Sequence, residues 1–88
     1  MRSMDANAVG QRIRGARTRA GFDSLRKFAL QSGLPESYLS KYENGKHIPS
    51  AEHLLAIADA CGVTTDWLLR GDEHPSNVTT PETPDEAA

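Results

Sequence analysis

Residues 24–43, with the sequence SLRKFALQSGLPESYLSKYE, contain two short amphipathic segments joined at Gly33. The apolar positions are Leu25, Phe28 and Ala29 in the first segment and Leu34, Leu39 and Tyr42 in the second. Because apolar residues spaced three and four apart share one face of an α-helix, each segment has one side to bury. A glycine at the join permits the positive φ with which many helices end. The spacing therefore predicts two short helices that cross steeply around a tight turn.

Capping residues indicate where these helices begin and end. Ser24 can cap the first helix with its hydroxyl, and Pro35 followed by Glu36 suits the first turn of the second. Gly45 is expected to end the second helix, and Ser50 can cap the segment that follows. These signals leave little freedom in the register of the two helices.

The residues from Ser24 to Pro49 fit the pattern S-x-x-x-F-A-x-x-x-G-L-x-x-x-x-L-S-x-Y-E-N-G-K-x-x-P. This pattern resembles that of the Cro/repressor-type helix-turn-helix family, also known from the xenobiotic response element regulators. The similarity extends over roughly residues 8–71. It implies an all-α, compact five-helix bundle of the lambda-repressor-like type that binds operator DNA, usually as a homodimer.

Five helices are therefore expected, with a flexible arm before them and a tail after them. The predicted helices are residues 8–19, 25–32, 35–43, 51–61 and 65–70. The arm is residues 1–7, the DNA-binding domain is residues 8–71 and the tail is residues 72–88. In the fourth helix the apolar pattern predicts four buried side chains, which are Leu54, Leu55, Ile57 and Ala58.

The net charge of −2 argues at first against a nucleic-acid partner, but the charges are unevenly distributed. Residues 1–71 hold all ten Lys and Arg residues and seven acidic residues, which gives them a net charge of +3. Residues 72–88 hold the other five acidic residues and three of the five prolines. Because such a segment cannot repay the entropy of ordering, we expect an acidic, Pro-rich disordered tail. It can be a solvating end, a segment that binds a protein partner, or an arm that competes with DNA for the basic face.

Once Leu39 and Tyr42 are assigned to the core, five outward positions remain on the second helix of the motif. They are Glu36, Ser37, Tyr38, Ser40 and Lys41. The resemblance implies that Glu36, Ser37 and Lys41 read bases, because this helix enters the major groove. Lys41 can donate to guanine and Ser37 can serve any base. Glu36 can accept from cytosine N4 or act mainly as a helix-dipole partner, and Tyr38 can contact a thymine methyl or a sugar or lie half-buried in the core.

Candidate phosphate contacts lie around the rim of this helix. They are Ser24, Ser40, Asn44, the Gly45 amide and Lys46. Many family members carry a phosphate-contacting Gln directly after the Ser that opens the first helix of the motif, but this chain has Leu25 there. We expect that contact to be absent, with Arg26 and Lys27 as candidates to replace it.

Two further pairs of residues are expected to have structural roles. Arg17 and Glu43 resemble a pair that, in this family, forms a partly buried ion pair between the first and third helices. The implied homodimer needs an interface, for which the fourth and fifth helices, with Trp67 and Leu69, are the candidates.

Other classes of function find little support in the sequence. The three histidines have no cysteine companions and no i, i+4 spacing within one helix, so no metal site is expected. There is no phosphate-binding Gly loop and no nucleophile elbow, so we expect neither enzymatic activity nor a cofactor. Cys61, the single cysteine, is expected to be a plain buried thiol. No apolar run approaches the ~20 residues of a membrane span and MRSMDANA lacks the apolar stretch of a secretory signal, so we expect no membrane partner and a cytoplasmic location.

The sequence thus predicts a sequence-specific DNA-binding transcriptional regulator, specifically a repressor that binds a partly palindromic operator as a homodimer. An antitoxin-like protein, whose main partner is another protein and whose DNA binding serves autoregulation, is the alternative. A phage or restriction-system control protein that activates as well as represses is a third hypothesis, because nothing in these residues decides the sign of regulation.

Overall fold

The structure, a computed structural model, describes residues 5–71, and its regular elements in that range are five α-helices. They are α1 (Ala6–Arg19), α2 (Leu25–Ser32), α3 (Glu36–Glu43), α4 (Ala51–Cys61) and α5 (Thr65–Arg70). The predicted all-α, five-helix fold is confirmed. The predicted tail, residues 72–88, and the first four residues of the predicted arm lie outside the described residues.

Two helix starts differ from the prediction. α1 begins at Ala6 because Asp5 is its N-cap, and the Asp5 carboxylate accepts the amide of Asn7 at 3.0 Å. Residues 5–7 therefore belong to the helical domain and not to an arm. Pro35 precedes α3 as its N-cap, with φ −63° and ψ 141°, so the first helical residue is Glu36.

The other predicted helix ends are set by local capping. The side-chain oxygens of Ser24, Ser50 and Thr64 each accept the backbone amide three residues further on. Gly33 ends α2 in the left-handed region at φ 78°, and its amide donates to the carbonyl of Ala29 at 2.8 Å. Both kinds of cap depend on neighbours in sequence, which is why the sequence predicts them well.

All five helices contribute apolar side chains to one core. Its fully buried large members are Val9, Ile13, Phe28, Leu39, Ile57 and Leu68. On α4 the buried residues are Leu54, Ile57 and Ala58, whereas Leu55 is 57% exposed. The prediction that Leu55 is buried is wrong, because one residue advances a helix by about 100° and carries Leu55 off the face that Leu54 and Ile57 share.

Cys61, at the end of α4, is half-buried and forms no disulfide. Burial is the main reason that the pKa of its thiol is raised to about 11, and the Glu43 carboxylate adds to the effect. The group is therefore a neutral thiol near neutral pH, although it is less buried than predicted.

One buried carboxylate joins α1 to α3. The Glu43 side chain is only 2% exposed, and its Oε2 lies 2.7 Å from Nε of Arg17. Nη2 of Arg17 lies 3.2 Å from Oε1, and Nε of Arg14 lies 3.3 Å from the same oxygen. Nη1 of Arg17 also donates to the carbonyl of Phe22 at 2.9 Å. The structure thus contains the Arg17–Glu43 ion pair, with Arg14 as a third member.

The backbones of α1 and α3 approach closely at Gly10. A Cβ built on Gly10 would lie 2.8 Å from the carbonyl oxygen of Glu43, and closer still to that of Tyr42. Both obstacles are backbone atoms at the end of α3, so no side-chain rotation can relieve the contact. Gly15, also on α1, would meet nothing within 4 Å.

The Glu43→Gln variant tests the energetic weight of the ion pair. Removing the buried charge leaves the largely buried Arg17 guanidinium without its counterion, at a cost of about 3–5 kcal/mol, whereas the exposed Arg14 is screened by water. For a domain of this size we expect Tm to fall by roughly 10 °C or more in calorimetry. Glu52→Gln, at an exposed position, is the control and should change Tm by only a few degrees. Equal shifts for the two variants would contradict a structural role for the pair.

Gly10→Ala and Gly15→Ala form a second matched pair on one helix. We expect Gly10→Ala to destabilise the fold by about 1–3 kcal/mol, because the new methyl group overlaps backbone carbonyls. Gly15→Ala should stabilise it by about 0.5–1 kcal/mol through helix propensity alone. Urea unfolding of both variants measures the difference, and the close approach would be refuted by two changes of the same sign.

Candidate nucleic-acid interface

The turn between α2 and α3 leaves one side of α3 exposed and buries the other side in the core. Phe28 of α2 and Leu39 of α3 are both 0% exposed and hold the two helices together. Four side chains of α3 predicted to contact bases are exposed, and they are Glu36, Ser37, Tyr38 and Lys41. Ser40 lies at the edge of the same face and is half-buried. The helix therefore has a clear inner face and a clear outer face.

The charges on this helix are arranged along its length. Glu36 lies in the first turn of α3, where the helix dipole favours a carboxylate, and Lys41 lies in the last turn. Glu43 does not contribute a negative charge to the outer face, because it is buried against two arginines. The exposed face of α3 therefore carries a carboxylate near its beginning and an ammonium group near its end.

Tyr38, Tyr42 and His53 form what we call the aromatic cluster, which joins α3 to α4. The Tyr42 hydroxyl lies 2.6 Å from Nδ1 of His53. The Tyr38 ring centroid lies 5.3 Å from that of His53 and 6.4 Å from that of Tyr42, in tilted and T-shaped arrangements. Burial first, and the neighbouring Tyr38 second, raise the pKa of Tyr42, so its phenol is a stable O–H donor. Lys41 Nζ lies 5.9 Å from the centroid of the Tyr38 ring.

Three of the side chains predicted to contact phosphate lie at the two ends of the helix-turn-helix motif: Ser24 caps α2, and Asn44 and Lys46 follow α3. Lys46 is exposed, and Asn44 is exposed with its Nδ2 donating to Oγ of Ser40 at 3.3 Å. Ser24 uses its oxygen to accept the Lys27 amide at 3.2 Å, and its hydroxyl proton remains available. These side chains stay candidates for contacts to a phosphate backbone.

The Gly45 amide, also predicted to contact phosphate, differs from these side chains because it is engaged within the fold. Its N–H donates to the carbonyl of Tyr42 at 3.1 Å, so the donor is already used. Gly45 has φ 75° and its Cα faces the side chain of Asn7. It ends the turn after α3, and its role is conformational.

A cleft of about 370 Å³ opens between α3 and the segment that leads into α4. Its lining residues are Tyr38, Lys41, Tyr42, His47, Ile48 and Ser50. The lining is mixed in character, with phenol, ammonium and imidazole groups beside the apolar Ile48. The aromatic cluster therefore borders open space on the side of the cleft.

The two residues predicted to form the dimer interface expose only part of their side chains to solvent. Trp67 and Leu69 are half-buried against the core, and the Arg19 guanidinium carbon lies 5.8 Å from the centroid of the Trp67 ring. Arg12 holds the end of α5 by donating to the carbonyls of Leu68 and Leu69 at 2.8 and 2.7 Å. The most exposed large apolar side chain of α4 is Leu55.

Several of these contacts have no signal in the sequence. Arg12, Arg14 and His53 are polar residues in amphipathic helices, where each would be assigned to a solvated face. Only the crossing of α1 with α3 and α5, and of α3 with α4, gives them partners. Spacing around Ser50 identifies His53 as a residue of the first helical turn but says nothing of its contact with Tyr42.

Two absences concern residues 5–71 alone. Within that range no three His, Cys, Asp or Glu side chains come together in a way that could hold a metal ion. The helices there are also too short or too polar for any of them to cross a bilayer.

Sequence comparison identifies relatives with named functions. A family model described as Helix-turn-helix matches residues 13–68. Repressor protein C2 of Salmonella phage P22 is 32% identical over 77 residues, covering 85% of this chain and 34% of that protein. The SPbeta prophage-derived uncharacterized HTH-type transcriptional regulator YonR of Bacillus subtilis is 36% identical over 62 residues, covering 70% of this chain and 56% of that protein. The chain thus matches only about a third to a half of the length of these relatives.

Solved structures share the fold. The restriction-modification controller protein C.AhdI of Aeromonas hydrophila superposes with a TM-score of 0.68 at 34% identity, covering 74% of this chain and 97% of that one. The P22 c2 repressor, in complex with synthetic operator 9T, superposes with a TM-score of 0.67 at 30% identity, covering 73% and 96%.

The matched region includes α2, the turn and all of α3, and the five-helix arrangement is that of the P22-repressor type. On its sequence and its fold, this chain belongs to the helix-turn-helix family.

Proposed function

We propose that this chain is a sequence-specific DNA-binding transcriptional regulator that acts as a repressor with α3 in the major groove. The observation that carries the proposal is the outer face of α3, where Glu36, Ser37, Tyr38 and Lys41 are all exposed on a helix fixed from behind. Family membership supports the same conclusion. Two of the matched relatives, the P22 repressor and YonR, are named as a repressor and a transcriptional regulator.

Base reading follows from the chemistry of these side chains. Lys41 donates to guanine O6 or N7, and Ser37 donates or accepts according to the base it meets. Glu36 accepts from cytosine N4, and its charge disfavours any docking that would bring it against a phosphate. Together the three groups should favour half-sites that contain G·C base pairs over half-sites that lack them.

Phosphate contacts fix the register of α3 in the groove. Lys46 supplies a charge after the helix, and Asn44, Ser40 and the Ser24 hydroxyl supply neutral donors around it. Arg26 is an exposed cation on α2 and takes the place of the missing Gln side chain. These groups contribute affinity that depends on salt but carries no sequence information.

A homodimer on a partly palindromic operator completes the proposal. One module reads only a few base pairs, whereas two modules spaced by about one DNA turn, ~34 Å, multiply their discrimination. For the interface we propose a surface of α4 and α5 that includes Leu55 together with the exposed parts of Trp67 and Leu69. Leu55 supports this choice because it is 57% exposed and large, and because it lies on α4, against which α5 packs.

The Lys41→Ala variant tests base reading. The wild-type chain should enrich an inverted repeat from randomised duplex DNA, and Lys41→Ala should lose about 1–3 kcal/mol of discrimination at one base pair of each half-site. Arg70→Ala is the matched control, because it also removes one positive charge but lies on α5, outside the helix-turn-helix motif. It should leave every base preference unchanged. If the wild-type chain enriches no motif, the antitoxin-like alternative is favoured.

The Leu55→Ser variant tests the dimer. We expect sedimentation equilibrium to give a dimer for the wild-type chain and a weakened dimer for Leu55→Ser, since the change removes a large apolar contact from the interface. Leu30→Ser is the control, because Leu30 is a large apolar residue that is 78% exposed on α2 and is not part of the proposed surface of α4 and α5. A wild-type chain that stays monomeric at high concentration, both free and on DNA, would refute the homodimer.

A further inference from the structure

The aromatic cluster gives a residue outside the helix-turn-helix motif control over the outer face of α3. We propose that His53, on α4, is a positioning residue that orients Tyr38 and Lys41 and thereby determines base selectivity without contacting a base. The inference rests on the proposed function and deepens it, because it concerns how the same face of α3 achieves its specificity.

His53 is itself held firmly. It lies in the first turn of α4, where its amide donates to Oγ of Ser50 at 3.3 Å. Its Nδ1 shares a hydrogen bond of 2.6 Å with the Tyr42 hydroxyl, and Tyr42 is only 7% exposed. One hydrogen bond to a buried partner leaves a half-buried ring few orientations.

Tyr38 rests on this ring. It lies one helical turn before Tyr42, and its own ring is 45% exposed on the outer face of α3. The rings of His53 and Tyr42 lie 5.3 and 6.4 Å from it, centroid to centroid, and 5.9 Å from each other, so the three rings form one compact triangle. Its orientation is therefore set by a side chain of another helix.

Lys41 is the next step of the same chain of contacts. Its ammonium lies 5.9 Å from the centre of the Tyr38 ring, within the range of a cation–π interaction. A lysine side chain is flexible, so an aromatic surface beneath it limits the directions in which the ammonium can point. Tyr38 thus transmits the position of His53 to the group that we propose reads guanine.

The cleft beside the aromatic cluster explains why Tyr38 and Lys41 need the support of the His53 ring. The cleft of about 370 Å³ is lined by Tyr38 and Lys41, so both side chains have open volume next to them. Without the imidazole, the Tyr38 ring can turn toward the cleft and the ammonium loses the surface on which it rests. We therefore expect loss of His53 to blur base preference while α3 keeps its place in the groove.

Three variants of the full chain separate the parts of this device. His53→Gln retains an acceptor for the Tyr42 hydroxyl but removes the ring under Tyr38. Tyr42→Phe removes only the hydroxyl, so it releases His53 with little change in packing. Tyr38→Ala removes the side chain that His53 is proposed to orient. Glu52→Gln, an exposed neighbour on the same turn of α4, is the control.

The measurement is selection from randomised duplexes, followed by binding of each variant to the selected site and to its single-base-pair variants at two salt concentrations. We expect His53→Gln to reduce preference about two- to tenfold at the same base pair or pairs that Tyr38→Ala affects. Tyr42→Phe should change the same positions by less. The double variant His53→Gln/Tyr38→Ala should lose no more than the larger single effect, because both changes act through one contact.

Three results would overturn the inference. One is a His53→Gln variant that leaves every base preference within experimental error of Glu52→Gln. Another is a uniform loss of affinity across all sequences with a smaller salt dependence, which would make His53 a phosphate contact instead. The third is a wild-type chain that enriches no motif, which removes the proposed function and this inference together. The first two leave the proposed function intact.

Discussion

The buried carboxylate of Glu43 fixes the geometry on which the rest of this domain depends. Apolar packing is not directional, so it tolerates small rotations of one helix over another. An ion pair with hydrogen bonds of 2.7 and 3.2 Å to a single guanidinium does not. Because Arg17 also holds the carbonyl of Phe22, the same contact fixes the loop that leads into α2. One acidic side chain thus relates α1, α3 and the entry to α2.

The outer face of α3 depends on what lies behind it. An isolated helix of eight residues is not stable in water, so α3 exists because its inner face is held. Leu39 inserts into the core, Glu43 pairs with two arginines, and Gly10 lets the α1 backbone approach the end of the helix. The exposed side chains can then be chosen for recognition and not for stability. A rigid scaffold of this kind is what a residue such as His53 needs in order to influence a neighbour across a helix boundary.

The parts of the structure that sequence predicts well are those decided locally. The bounds of α2, α4 and α5 follow from Ser, Thr and Gly caps and from the helical spacing of apolar residues. The predicted start of α1 is two residues late, because the residues directly after the Asp5 cap, Ala6 and Asn7, have no large apolar side chain to mark the helix. The exposed positions of α3 follow from the same helical spacing once Leu39 and Tyr42 are assigned to the core.

What sequence could not predict are the contacts made between helices. Leu55 continues an apolar run, and only the direction of α4 against the core shows that it points outward. The Gly45 amide looks free until the turn after α3 closes on Tyr42. Arg12 and Arg14 bond to residues up to 57 and 29 positions away in sequence, and the partner of His53 is 11 positions away. Neither helix propensity nor residue spacing carries information over such separations.

The hold of Arg12 on the last turn of α5 has a consequence for the order in which the domain forms. Its guanidinium bonds to carbonyls 56 and 57 residues further along, so α1 cannot reach its final environment until α5 exists. During synthesis, α2 and α3 emerge while α1 still lacks part of its cover. Of the five helices, α1 is made first but is among the last to be completed, and a ribosome-bound chain that ends before Leu68 holds α3 on a scaffold that is still open on one side.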